Sequence, residues 1–135
     1  MNHSPHFRQL LAAAAAQPEP QRLLFVFAVA ELPDSATPEQ RERFQSGRGG
    51  ALAPLMCVDK APGDVTDFAG LVSEAGRAGP PWSVVFAASL SGQGGRPPDK
   101  ARIDLALETM VEAVRDGRIS GFAAYGSQGE FLEIG

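Results

Sequence analysis

The chain has 135 residues, 44% of them hydrophobic and 21% charged, with a formal net charge of −4. That is enough apolar material for one buried core, and it excludes a disordered chain. The acidic balance, with Lys60 and Lys100 the only lysines, leaves no basic stripe for phosphate attraction and so speaks against nucleic acid as a partner. No stretch approaches the roughly 20 apolar residues of a membrane span. One cysteine, Cys57, rules out an internal disulfide and a multi-cysteine metal cluster, and suits a reducing cytoplasm.

Ser4 is placed to cap a first helix with Pro5 at its first position, and Pro18 ends it. The Leu10 to Ala16 run within it is short and mostly alanine, which fits a folded helix better than a secretion signal. A strand over 22–32 follows, whose Leu23-Leu24-Phe25-Val26-Phe27-Ala28-Val29 core is apolar on both faces, as in a central strand covered on each side. Thr37-Pro38-Glu39-Gln40 has the form of a capping box for a short helix ending before Gly47. A second strand spans 51–59, with Pro54 marking an edge, a bulge or a later start.

Asp64 is placed to cap the next helix, with Val65, Phe68, Leu71, Val72 and Ala75 on its inner face, and Gly79-Pro80-Pro81 breaks it. A third strand over 83–90 is again apolar on both faces. A glycine-rich loop over 91–98 leads to the longest helix, 99–116, striped by Ile103, Leu107, Met110, Val111 and Val114 and closed by Gly117. A fourth strand is expected over 119–125. The Gly126 to Gly129 turn then makes 130–134 a sheet-edge strand that could pair with another chain in a symmetric dimer.

Sliding the second half back by 61 positions lays Phe68, Leu71, Val72 and Ala75 on Phe7, Leu10, Leu11 and Ala14, and Phe86 on Phe25. The pattern predicts a single α/β domain over 1–135, a sandwich with a mostly parallel sheet of four or five strands. Two αβαβ copies, at about 4–60 and 64–126, would make it up.

If the strands are parallel, their carboxyl ends form the crevice where α/β proteins hold ligands. Glu31, Asp59 and Lys60 would meet Ser91, Gly92, Gly94 and Arg96 there. Glycine amides near a helix start can cradle an anion, with Arg96 as a bidentate partner, but Pro97 and Pro98 remove two donors and no Walker or dinucleotide spacing is present. Asp104, Glu108, Glu112 and Asp116 make an acidic ridge that reads as a solvated face. Cys57 reads as a buried hydrophobe. His3 and His6 both flank the first helix cap, so a histidine-based catalytic engine would have to draw on the amino-terminal tail. No catalytic residue, metal ligand or cofactor is assigned.

The stretches 18–32, Leu55-Met56-Cys57-Val58-Asp59-Lys60 and 86–95 resemble a family of small proteobacterial proteins labelled ribonucleotide reductase subunit alpha, and the likeness extends over nearly the whole chain. A reductase large subunit needs a cysteine for the thiyl radical, a reducing pair and tyrosines for radical transfer. With Cys57 and Tyr125 as its one cysteine and one tyrosine, this chain is not such a catalytic subunit. The resulting expectation is a non-catalytic cytoplasmic binding or regulatory module, homodimeric or bound to a protein partner. The alternative is a binding domain or small enzyme for an anionic metabolite or nucleotide at the glycine-rich loop.

Overall fold

A computed structural model of the chain describes residues 5–31, 37–39, 42 and 51–132. Ser4, and most of the short helix expected after Thr37, lie outside them. Helix α1 (Pro5–Ala15) leads into β1 (Gln21–Glu31), which is followed by β2 (Ala51–Lys60). A 3-10 turn at Pro62–Asp64 precedes α2 (Phe68–Ala78) and β3 (Val84–Ser91). Helix α3 (Lys100–Arg115) then connects to β4 (Ala123–Gly126) and β5 (Phe131–Leu132). Among the described residues no helix is long and apolar enough to cross a membrane.

The five strands lie in the order β2-β1-β3-β4-β5, and every neighbouring pair is antiparallel. The expected mostly parallel sheet is therefore overturned. The reason lies in β1. Helix α2 does return the chain so that β2 and β3 run in the same direction, but β1 is inserted between them and opposes both. Alternating helices and strands show that a crossover is present; they do not show what fills the gap it crosses.

The long apolar run of β1 is explained by helices on both faces. Leu23, Phe25 and Phe27 join Val85, Ala87 and Tyr125 against Phe7 and Ala14 of α1 and Phe68, Leu71 and Ala75 of α2. Leu24, Val26 and Ala28 join Val84, Phe86 and Ala124 against Leu107, Met110 and Val114 of α3. Phe7 is the hinge of the first cluster, its ring meeting Phe68 edge-on at 5.2 Å and Tyr125 at 5.4 Å. The slide of 61 positions thus keeps Phe7 and Phe68 on one face, yet puts Phe25 and Phe86 on opposite faces. In a strand a one-residue offset exchanges faces, so these two phenylalanines are not equivalent.

Local signals explain most boundaries. Asp99 caps α3, its carboxylate accepting from Arg102 N at 2.9 Å. Asp67, not Asp64, caps α2, accepting from Gly70 N at 2.8 Å, while Asp64 belongs to the 3-10 turn. Pro54 stands on an edge strand beside a bulge, where the register with β1 shifts between Phe27 and Ala28; its missing N–H is tolerated there. Strand β4 is shorter than expected, because Ile119 and Phe122 pack on the α3 side before the ladder begins.

Candidate functional site

Antiparallel pairing brings one group of the expected residues together and separates another. Gln21 pairs with Ser91, Leu23 with Lys60 and Leu24 with Asp59. The carboxyl ends of β2 and β3 therefore meet at the start of β1, gathering Asp59, Lys60, Ser91 and Gly92, with Gly94 and Arg96 in the loop beyond. Glu31 does not join them. It pairs with Ala51 at the other end of β1, roughly 25 Å away along an extended strand.

Asp59 and Lys60 are neighbours in sequence but serve opposite faces, as successive strand residues must. Arg22 Nε donates to Asp59 Oδ2 at 2.6 Å on the α3 side. Lys60 Nζ donates to Glu74 Oε1 of α2 at 2.5 Å on the other. The expected joint action of Asp59 and Lys60 on one ligand is thus replaced by two separate, half-buried ion pairs.

The glycine-rich loop is a tight reversal in which the amides of Gly92, Gln93, Gly95 and Arg96 are already engaged. Gln93 and Arg96 exchange backbone hydrogen bonds of 3.0 and 3.1 Å around Gly94 and Gly95, whose φ values are 61° and 77°. Two successive positive φ values define the turn type that requires glycine. Gly92 N donates to the carbonyl of Pro20 at 2.8 Å. Gly95 N donates to the carboxylate of Glu19, at 2.8 Å to Oε1 and 3.3 Å to Oε2. The loop tip does hold an anionic group, and that group is the protein's own. The start of α3 is taken in the same manner by Asp99.

Beside the loop, Ser89 Oγ donates to Gln21 Oε1 at 2.7 Å, and Gln21 Nε2 donates to Ser91 Oγ at 3.0 Å and to the carbonyl of Glu19 at 3.0 Å. These bonds fix the loop to the start of β1. Among the described residues neither hydroxyl is hydrogen-bonded to a base that would activate it as a nucleophile.

The Arg96 side chain is exposed, as are Glu108 and Glu112 of the acidic ridge. Cys57 is exposed, not buried as expected, and its thiol is pushed up by burial and then by the Asp59 charge; it is protonated at neutral pH and a weak nucleophile. On α3 Asp104 takes Lys100 at 2.7 Å, and just past its end the capping Asp116 takes Arg118 at 3.1 Å. His6 stacks on Phe131 at 4.5 Å. Among the described residues no three of His, Cys, Asp and Glu converge as a metal site would require.

What the residue pattern did not suggest is an open apolar groove. Helix α3 lies over β1 and β2, leaving a cleft of about 440 Å³ on the β3 side of the same face. Leu24, Ala88, Leu90, Leu105, Met110 and Phe122 line it. Leu105 is 65% exposed. One signal in the sequence could have found it: Leu105 stands off the inner stripe of its helix, where an apolar residue has no core to enter. Comparisons with protein families, with curated proteins and with solved structures gave no match.

Proposed function

We propose that this protein is a non-catalytic binding or regulatory module of the cytoplasm, homodimeric or bound to a protein partner, whose working surface is apolar. One observation carries the reading. Most charged groups gathered at the end of the sheet are held in internal pairs (Arg22 with Asp59, Lys60 with Glu74, Glu19 with Gly95), Arg96 being exposed, whereas the groove beside α3 leaves a leucine in water. Internal pairing fixes a fold; an uncovered apolar cleft is what a partner surface would fill.

The alternative, an anionic metabolite or nucleotide at the glycine-rich loop, is supported by one feature. The Gly95 N–H already donates to a carboxylate. A ligand would have to displace Glu19 first. A thermal-shift panel of nucleotides and phosphorylated metabolites, on wild type and on Glu19→Ala, separates the readings. A ligand at a hundred times its Kd adds about 2.7 kcal/mol. The expected result is no shift for wild type. A shift that Arg96→Ala abolishes would replace the present reading with the anion-binding one.

A further inference from the structure

The exposed flank of α3 bears charges of opposite sign at equal distances from its middle. Arg102, Leu105, Thr109, Glu112 and Asp116 follow one another at three- and four-residue steps, so they form one stripe along the helix. Leu105 and Thr109 are exposed on it, and Arg102, Leu105, Thr109 and Ala113 also line the groove. Seen from Thr109, Arg102 stands seven residues before and Asp116 seven after; Leu105 stands four before and Ala113 four after. The stripe is basic at its beginning (Arg102), uncharged in the middle (Leu105, Thr109) and acidic toward its end (Glu112, Asp116).

We infer that this flank is the interface between two copies of the chain, with the α3 helices antiparallel about a twofold axis at Thr109. The inference rests on the proposed binding-module reading and names its partner. Charge complementarity selects a second copy over an unrelated segment. Antiparallel docking sets Arg102 of each copy against Asp116 of the other, about 10 Å from the axis. It also sets each exposed Leu105 over the other copy's Ala113, at the wall of the groove, and opposes the two helix dipoles favourably. A surface that carries both the projecting side chain and the recess to receive it is self-complementary, which is what a closed twofold contact demands. Parallel docking would instead set Arg102 against Arg102. Arg102 is available for the contact: its Nη2 donates to the carbonyl of Ser91 at 3.2 Å, which leaves its charge uncompensated. Asp116 shares its carboxylate with the exposed Arg118.

The test is sedimentation velocity across a concentration series of the full chain and five variants. Wild type is expected to dimerise with rising concentration. Leu105→Asp, at an exposed position, should weaken the dimer by about tenfold or more with its melting temperature as a monomer unchanged. Arg102→Glu and Asp116→Arg should each weaken it, and the double variant R102E/D116R should restore it. Should Leu105→Asp fold poorly, Thr109→Arg puts two like charges on the axis and gives the same readout. A strictly monomeric wild type, or a double variant no better than its parents, overturns the inference. A dimer that survives Leu105→Asp also overturns this interface while leaving the binding-module reading intact.

Discussion

Gly92 shows how tightly the loop after β3 is built. A Cβ at this position would fall 1.9 Å from the carbonyl oxygen of Arg96 and 3.0 Å from that of Pro20. Both are main-chain atoms, so neither can swing aside. Gly92→Ala is expected to cost about 1–3 kcal/mol, measured by urea denaturation; an unchanged midpoint would mean that the loop is looser than described. Tyr125 gives a pH dependence. Burial raises its phenol above the ordinary value, so the folded state holds that proton more tightly than the unfolded chain. Stability from this group is full below about pH 10 and is lost as pH rises through the folded value. Tyr125→Phe should flatten the alkaline limb of a melting-temperature profile. Lys100, raised by Asp104, acts in the same direction but is fully exposed and contributes little. Cys57 should alkylate slowly at neutral pH despite its exposure, and faster only above its ordinary range of about 8.5.

Elements were more legible than their arrangement. The strands at β1, β2 and β3, Pro5 at the first position of α1, the bulge at Pro54 and the final hairpin all follow from local chemistry. Both helix stripes found their core. Pairing sense did not follow, because it depends on which strand enters the gap between β2 and β3, and β1 is apolar on both faces in either topology. That one uncertainty displaced Glu31 from the site while leaving Asp59, Lys60, Ser91 and Gly92 together. The faces of Asp59 and Lys60 were implicit in strand periodicity. Their partners, Arg22 and Glu74, are distant in sequence and were not. Glu19 was equally hidden: a carboxylate just before a strand carries no local sign that it will cap a loop more than seventy residues on. At this scale Phe7 is the test of the α1–α2 layer. Phe7→Ala removes a fully buried ring that meets Phe25, Phe68 and Tyr125, and should cost about 3–5 kcal/mol.

The whole molecule divides its labour between two regions. One end of the sheet concentrates charge and polar side chains, and there Arg22 pairs with Asp59, Lys60 with Glu74, and Glu19 and Gln21 hold the glycine-rich loop. The flank of α3 carries an open cleft and the exposed Leu105, and no other described residue covers that leucine. Two-dimensional amide NMR spectra recorded from dilute to concentrated protein test this division most directly. Resonances of Leu105, Thr109, Ala113 and Asp116 should shift with concentration while those of Gly92 to Arg96 stay fixed, and inorganic phosphate should move neither set. Shifts confined to the glycine-rich loop, or a response of that loop to phosphate, would contradict the account.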